Sequence, residues 1–429
     1  MTEHGGTGVQ PPPGMFASMA VRNFRLFFIG QFVSQVGNWL RMVGQTLLVL
    51  HLTGNGVAVG ALVACQFLPV LLIGAWAGLV VDRSDKRRLL LIIQSLAMIQ
   101  SVVLATLAFM DQPPLWALFA VALGGGFATA FDSPARRSFV VEMVPKVLVH
   151  NAVSLNSALM TSARVVGPAL AGILVDTVGY GWCFVVDGTS YLAVLAALAM
   201  MRKAELRAAT PAIRAKGQIR QGFRYVRSVP ELWIPLAMMT MIGTLAFNFQ
   251  VVLPLFATRS LGGEPRMFTL LYSVLSIGSV FGALGTARRQ RVTLRHVLWG
   301  ALAFGVSMTA LAASPNWWAA FPLAMALGAS SVAFMTASTA LVQTEAGADM
   351  RGRVLALQSM VFLGSTPIGG PILGAICEFA GARVGVLVGG IGTLAAAVFG
   401  KWAVTRHGPN RVAGVPSSIS PTRLAPYQQ

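Results

Sequence analysis

Apolar residues in this chain fall into twelve long runs that are separated by short polar breaks. A helix needs about 20 mostly apolar residues to cross the hydrocarbon core of a bilayer, and each run is close to that length. The breaks contain turn-forming residues, as in Asp111-Gln112-Pro113-Pro114 and Gly179-Tyr180-Gly181. The pattern predicts twelve transmembrane helices, over residues 25–50, 57–81, 88–110, 114–132, 151–176, 181–201, 232–257, 267–287, 293–313, 316–342, 354–376 and 383–404.

The composition indicates an all-α integral membrane protein. Hydrophobic residues make up 55% of the 429 residues, charged residues make up only 11%, and the mean hydropathy is +0.70. A soluble globular protein carries roughly 25% charged residues because its surface faces water. Most of the surface of this chain must therefore face lipid, so the bilayer is its first expected partner.

The distribution of basic residues predicts how the chain is oriented. The 32 Lys and Arg against 14 Asp and Glu give a net charge of +18, which would also suit a nucleic-acid-binding protein. Most basic residues, however, fall in alternate connections between the predicted helices, whereas only Arg259, Arg266 and Arg383 fall in connections on the other side. Basic connections stay in the cytoplasm. We therefore expect a multi-pass protein of the inner (plasma) membrane with both termini cytoplasmic, and no nucleic-acid partner.

Short motifs recur in the two halves of the chain. Gly167-Pro168 recurs as Gly370-Pro371, and the pair Gly74 and Gly78 recurs as Gly278 and Gly282, at a nearly constant interval of about 200 residues. Such repetition predicts two six-helix bundles with a binding site between them near the membrane midplane. The expected units are a disordered N-terminal tail (1–24), a first bundle (25–201), a basic cytoplasmic linker (202–231), a second bundle (232–404) and a disordered C-terminal tail (405–429).

The linker carries two parallel stripes at helical spacing, one apolar and one basic. They consist of Ile219, Phe223 and Val226, and of Arg220, Arg224 and Arg227. This pattern predicts a short amphipathic helix that lies on the anionic inner leaflet, although a merely solvated linker has the same composition.

The sequence lacks the motifs of the common enzyme classes. It has no phosphate-binding loop of the G-x-x-x-x-G-K-[ST] type, its five His residues are scattered, and its three Cys residues have no metal-ligand spacing. We therefore expect no cofactor, no metal site and no enzymatic activity.

Three ionisable residues lie deep inside predicted helices, where an isolated charge costs about 2.5–3.5 kcal/mol on insertion scales. Counted at 1.5 Å per residue from the outer helix ends, Asp187 lies roughly 9 Å deep, Arg41 roughly 14 Å and Arg164 roughly 18 Å. These depths predict an Arg41–Asp187 pair in the outer half of the first bundle, with Arg164 below it. The pair would serve either in coupling transport to protons or as a purely structural contact.

The first predicted helix also carries a polar face, which we expect to form the wall of a cavity. The second bundle has no ionisable residue at a comparable depth, so Asp187 is the one acid deep enough to be a strong candidate for proton coupling. The polar face consists of Gln31, Gln35, Asn38, Arg41 and Gln45.

The connection between the second and third runs, from Gly78 to Arg88, resembles the G-x-x-x-D-R-x-G-R-[KR] signature of the major facilitator superfamily. Residues 131–136, 151–156 and 163–172 are similar to the branch that contains the enterobactin exporter, which is of the drug and siderophore efflux type. The resemblance extends over nearly the whole chain and implies the superfamily's fold of twelve helices.

The resemblance also implies roles for individual residues. Asp82, after Gly78, would hold a cytoplasmic gate by binding the positive N-terminal end of the eleventh helix. Arg83 and Arg87 would complete a charge network at that gate. Alternatively, these residues only determine topology.

The fifth predicted helix carries the other motif that the resemblance implies. Gly167-Pro168 with Gly172 resembles the antiporter motif of that helix, which allows a bend and close packing and favours export.

Two positions depart from the superfamily's pattern. Asp85 replaces the second glycine of the signature, which changes the local turn and adds an acid to the gate. Residues 118–126 of the fourth predicted helix contain no charge, so the superfamily's usual arginine there is absent. Arg41 or Arg164 would have to replace it in any proton coupling.

These features together favour a monomeric secondary transporter that exports a small organic molecule by alternating access, with protons as the coupling ion. An uptake symporter and a non-transporting membrane receptor or scaffold are the alternatives.

Overall fold

A computed structural model of the chain describes residues 14–207, 218–263, 265–289 and 292–407, and these residues are almost wholly helical and contain no β-strand. The expectation of an all-α fold is confirmed. The helices are α1 (Arg22–Thr53), α2 (Gly56–Arg83), α3 (Lys86–Ala108), α4 (Leu115–Glu142), α5 (Val149–Thr177), α6 (Tyr180–Ala199), α7 (Gln218–Ser228), α8 (Pro230–Leu245), α9 (Phe249–Leu255), α10 (Pro265–Ala287), α11 (Leu294–Ala312), α12 (Trp317–Glu345), α13 (Ala348–Phe379) and α14 (Ala382–His407).

Eleven segments of the described chain are long and apolar enough to cross a membrane. One of them, from Pro230 to Ser260, joins α8, α9 and a π-helical turn into a single span. Helix α1 is not among the eleven, although its 32 residues are more than enough to cross a bilayer. Its polar face makes it less apolar than the others. With α1 included, the described chain agrees with the predicted twelve spans.

Most predicted boundaries differ from the helix ends by a few residues, and two of the differences change the interpretation. The fourth run ends at residue 132 by hydropathy, whereas α4 continues to Glu142 because charged side chains beyond that point pair inside the bundle. The predicted N-terminal tail ends sooner than expected, since Ala17–Ala20 form a 3-10 turn and the Ser18 N–H donates to Asn151 Oδ1 of α5 at 3.0 Å. Residues 1–13 and 408–429 of the two predicted tails lie outside the described residues.

The helices pack in two groups. In the first group α1 contacts α5 and α6, α2 contacts α4, and α3 contacts α4 and α6; in the second, α12 contacts α10 and α11, and α8 contacts α13 and α14. Two extensive contacts join the groups, α2 with α13 and α5 with α10. Counted as membrane spans, α2 and α10 are the second of their halves, and α5 and α13 are the fifth. Each contact therefore pairs the second span of one half with the fifth span of the other, as an internal repeat predicts.

The two faces of the assembly differ in charge. We call the face at which α1 begins and α2 ends, next to Arg22 and Arg83, the basic face, and the opposite one the far face. Helix α7, in the predicted linker, packs at the basic face against α8 and α13. Tyr225 Oη of α7 accepts a hydrogen bond from the Gly347 N–H at the start of α13. The side chains of Ile219 and Arg220, which belong to the predicted stripes, lie outside the described residues.

Candidate substrate and coupling sites

The predicted contact between Arg41 and Asp187 is present in the interior of the first group. Arg41 Nε lies 3.3 Å from Asp187 Oδ2, and the Asp187 side chain is fully buried. The Ser101 hydroxyl of α3 donates to the same Oδ2 at 2.5 Å, and Arg41 Nη2 donates to Asn38 Oδ1 at 2.5 Å. The other carboxylate oxygen, Oδ1, has no hydrogen-bond partner among the described residues. The pair is therefore buried but only partly satisfied.

A glycine on α1 lets the two partners meet. A Cβ atom at Gly37 would lie 2.3 Å from Ser190 Oγ and 2.8 Å from Asp187 Oδ1, so only glycine allows α6 to come this close. Arg41 lies one turn further along α1, and its side chain then reaches across to Asp187 on α6.

The polar face of α1 lies inside the first group rather than along an open cavity. Gln31 and Gln45 are fully buried and Gln35 nearly so. Gln45 Nε2 donates to the Leu118 carbonyl of α4 at 3.1 Å, and its Oε1 accepts from Gln66 of α2. The expectation of a cavity wall is therefore wrong for these glutamines, because α2, α4 and α6 cover the polar face of α1.

A second buried ion pair, which sequence reasoning missed, lies on α4 nearer the basic face. Asp132 and Arg136 form a salt bridge one turn apart, and Gln94 Nε2 of α3 donates to Asp132 Oδ1 at 2.7 Å. With its amide oxygen turned inward, Gln35 of α1 accepts from Arg136. Asp187 is thus not the only buried acid. The four-residue spacing of Asp132 and Arg136 was the available signal, since it places opposite charges on one helical face.

Arg164 contacts Trp39 rather than the Arg41–Asp187 pair, and its predicted place below that pair stays a prediction. It lies near the middle of α5, where its side chain is exposed. Its guanidinium carbon lies 5.5 Å from the ring centre of Trp39 on α1, and Trp39 lies 5.9 Å from the ring of Tyr272 on α10. Arg164 therefore faces the boundary between the two groups of helices.

The motif of the fifth helix explains this arrangement. A Cβ atom at Gly167 would lie 2.3 Å from Trp39 Cβ, so the glycine makes room for the indole beneath Arg164. A Cβ atom at Gly172 would lie 1.9 Å from Thr269 Oγ1 of α10. Pro168, between them, is buried within α5. The role of this motif in export remains a prediction.

The predicted gate residues at the basic face have several local contacts. Asp85 Oδ1 accepts from the Arg88 N–H at 3.0 Å and so caps α3. Its φ of −64° is open to any residue, which explains why the glycine of the signature is not needed here. Arg87 Nε donates to the Leu198 carbonyl at 2.7 Å and thereby binds the negative end of α6.

The remaining gate residues are placed as follows. Asp82 is half-buried at the end of α2, Arg83 is exposed, and a Cβ atom at Gly78 would meet nothing within 4 Å. Their roles in gating remain predictions.

Close contacts between the two groups lie toward the far face. Arg259, after α9, donates to Glu378 Oε2 of α13 at 2.8 Å and also to the carbonyl of Gly54, which caps α1. Glu378 Oε2 accepts from the Gly56 N–H at 2.7 Å. Arg266 of α10 lies 4.0 Å from Asp176 of α5. Two of the three basic residues on this side therefore link the two halves.

Replacing Arg259 by Gln should loosen this closure, because it removes an ion pair and a hydrogen bond to the Gly54 carbonyl. Val63 of α2 packs against Gly370 of α13 at the closure. In a cysteine-free background with Val63→Cys, we expect Arg259→Gln to raise the rate of maleimide labelling about 5-fold, as the loss of about 1 kcal/mol would predict. Arg202→Gln, which breaks an exposed ion pair with Glu205 elsewhere, is the matched control. Equal labelling of both variants would contradict the expectation.

Sequence comparisons place the chain among membrane transporters. The profile of the family described as transmembrane secretion effector matches residues 13–412. The staphyloferrin A transporter of Staphylococcus aureus is 25% identical over 61% of this chain and 66% of its own length. The multidrug efflux pump Tap of Mycolicibacterium fortuitum is 25% identical over 83% of this chain and 89% of its own. The enterobactin exporter EntS of Salmonella paratyphi A is 22% identical over 82% of this chain and 85% of its own length.

Solved structures agree on the fold. A bacterial homologue of the human lysosomal transporter Spinster, in an inward-facing and unoccupied conformation, has a TM-score of 0.72 at 15% identity and covers 89% of this chain and 96% of its own. A POT family transporter in complex with 5-aminolevulinic acid has a TM-score of 0.76 at 9% identity and covers 92% of this chain and 98% of its own. The chain is thus a multi-pass transport protein rather than an enzyme, and it belongs to the transmembrane secretion effector family of the major facilitator superfamily.

Proposed function

We propose that this protein exports a small organic molecule across the inner membrane by alternating access, driven by proton antiport. Three relatives that are named for drug efflux or siderophore transport support a substrate of this kind. The basic face is the cytoplasmic one in this proposal, because cationic connections remain on that side. Both termini then lie in the cytoplasm, and a single chain is the functional unit.

The contacts between the halves support alternating access. Helices α2 and α13 meet where Gly60 approaches Gly370, and α5 and α10 meet where Gly172 approaches Thr269, both toward the far face. Arg164, further toward the basic face on α5, is exposed. The molecule is then closed to the outside and receives substrate from the cytoplasm. The transport cycle would require these far-face contacts to open while the halves close at the basic face.

The Arg41–Asp187 pair is the observation that carries proton coupling. A buried carboxylate must be paired or neutralised, and Asp187 can satisfy either condition, because Arg41 and Ser101 both contact Oδ2 while Oδ1 is left without a partner. A proton bound at Oδ1 would cancel the attraction and leave Arg41 with Asn38 on its own helix. Since Arg41 and Asp187 lie on different helices, protonation would alter how α1 packs against α6.

The Asp132–Arg136 pair is a second candidate for the proton site. It lies on α4, closer to the basic face, and Arg136 donates to Gln35 of α1. Both partners are on one helix, so neutralising Asp132 would disturb the packing between helices less than neutralising Asp187. We therefore assign the main coupling role to Asp187.

Vesicle transport tests the proposal. Inside-out vesicles that contain the protein, with an acidic lumen, should accumulate enterobactin or a macrolide, compounds for which relatives of this chain are named, as protons leave. A protonophore should abolish this accumulation. Accumulation only in right-side-out vesicles with acid outside would indicate an uptake symporter. Movement of no tested solute under any gradient would refute the proposal.

A further inference from the structure

We infer that Arg164 is the binding point for a negatively charged, ring-containing substrate, so that this transporter is built for amphipathic organic anions. This inference rests on the proposed function and specifies the substrate class of that transporter. It follows from the Arg164–Trp39–Tyr272 cluster at the boundary between the halves.

The charges inside the spans leave Arg164 in excess. Arg41 is paired with Asp187, and Arg136 with Asp132, so each of these pairs is neutral. Among the described residues, no carboxylate lies within salt-bridge distance of Arg164, whose guanidinium lies over the Trp39 ring. Arg164 lies about 20 Å from either end of α5, which is near the midplane of a bilayer. A cation at this depth is expected to serve a pathway or a ligand.

Among the described residues, no acidic side chain of the second half is paired with Arg164. Gln250 of α9 lines a small cavity together with Tyr272 and Met42, and its Nε2 contacts Met42 Sδ at 3.0 Å. Gln250 Oε1 is buried and has no hydrogen-bond partner among the described residues. The charge at the boundary is therefore positive, and an anion entering from the basic face would neutralise it.

The surroundings of Arg164 also specify the shape of the ligand. A guanidinium presents two parallel N–H groups to a carboxylate, which is the geometry that arginine recognises best. Trp39 is half-buried beside it, and Tyr272 continues the aromatic wall on α10. A carboxylate or catecholate attached to a flat ring would fit both features, because the charge would meet Arg164 and the ring would lie against Trp39.

Binding of three matched probes tests this inference. The probes 1-naphthoate, 1-naphthamide and 1-naphthylmethylammonium share one ring system and differ in charge. Each is titrated against the full-length protein in lipid nanodiscs, and the apparent affinity is obtained from the rise in thermal unfolding midpoint, measured by size-exclusion chromatography after heating. We expect naphthoate to bind about 10- to 100-fold more tightly than the amide, as a charge-assisted bidentate contact predicts. The ammonium probe should bind most weakly.

Substitutions of Arg164 distinguish an effect of its charge on binding from a general effect on the fold. Arg164→Gln should reduce naphthoate binding to the level of the amide, whereas Arg164→Lys should keep the preference for the anion. Arg406→Gln is the matched control, because Arg406 also lies over a tryptophan ring, that of Trp402, but near the end of α14. It should bind naphthoate as the unaltered protein does. Equal binding of the three probes, stronger binding of the ammonium probe, no binding at all, or full naphthoate binding by Arg164→Gln would each overturn the inference.

The proposed function can fail separately. Binding in nanodiscs needs no gradient, so anion-selective binding without gradient-driven export would refute the export proposal and leave the Arg164 site standing. Proton-driven export of a macrolide, unchanged in Arg164→Gln and accompanied by charge-independent probe binding, would refute the anion site alone.

Discussion

Asp187→Asn is expected to abolish proton-driven transport while the exchange of labelled for unlabelled substrate across the membrane continues. Exchange requires only that the loaded protein alternates between its two conformations, whereas net export requires a proton to be carried back. The asparagine retains the size of Asp187 and its hydrogen bond with Ser101, but it cannot bind and release a proton. Gradient-driven accumulation and substrate counterflow, measured in the same proteoliposomes, would show the separation.

Stability needs to be controlled in this experiment. Removing one partner of a buried ion pair typically costs about 3–5 kcal/mol, because the other charge remains buried. Arg41→Gln combined with Asp187→Asn removes both charges and should recover most of the lost stability without restoring proton-driven transport. Asp111→Asn, in an exposed turn, is the control for the substitution itself. Proton-driven accumulation at the normal rate in Asp187→Asn would refute its role in coupling.

Asp132→Asn distinguishes the two candidate proton sites, Asp187 and Asp132. If Asp187 is the coupling residue, Asp132→Asn should retain net transport, although with reduced stability. Loss of coupling in Asp132→Asn, with normal coupling in Asp187→Asn, would instead place the proton site on α4.

Gly374→Val should have the largest effect on the conformation. A Cβ atom at Gly374 would lie 2.4 Å from the Gly56 carbonyl oxygen and 3.2 Å from Gly60 Cα, both of them backbone atoms of α2. Side-chain rotation cannot relieve such an overlap, so α2 and α13 must separate toward the far face. We expect a strong loss of transport together with a rise in maleimide labelling of Val63→Cys, which reports on the same closure.

The control for this variant is Gly285→Val on α10, because a Cβ atom there would meet nothing within 4 Å. It adds the same side chain to a helix without forcing another helix away. We expect it to transport at nearly the normal rate with unchanged labelling. Normal transport by Gly374→Val, or labelling no higher than that of the control, would contradict the closure of α2 on α13 as the step that seals the far face.

Some of the candidate site could be predicted from the sequence, because depth along a helix constrains which charges can meet. Arg41 and Asp187 lie at similar depths, and a buried acid in a membrane span needs a nearby cation, so their contact followed from counting residues. Arg164 could not be placed in the same way. Depth does not specify the direction in which a side chain points around the helix, and in the structure α5 directs Arg164 toward Trp39 of α1.

The Asp132–Arg136 pair was missed for a different physical reason. Hydropathy treats each charged residue as the end of an apolar run, whereas two opposite charges one turn apart neutralise each other and let the helix continue within the bundle. The polar face of α1 was recognised, but not what covers it, because the partners of Gln45 and Gln35 lie on helices far away in sequence. Periodicity identifies such a face, and only the packing shows whether it borders water or protein.

The polarity of α1 has a consequence for how the protein is made. On its own in a bilayer, α1 would expose its glutamines and Arg41 to lipid, and the helices that cover them, α4 and α6, are synthesised later. Arg41 cannot form its ion pair with Asp187 until the ribosome has synthesised residue 187. We therefore expect α1 to remain beside the insertion machinery, or to slip back toward the interface, until α6 arrives. Biogenesis would thus depend on the same ion pair as transport, and a variant at Asp187 should be checked for membrane insertion before its transport is interpreted.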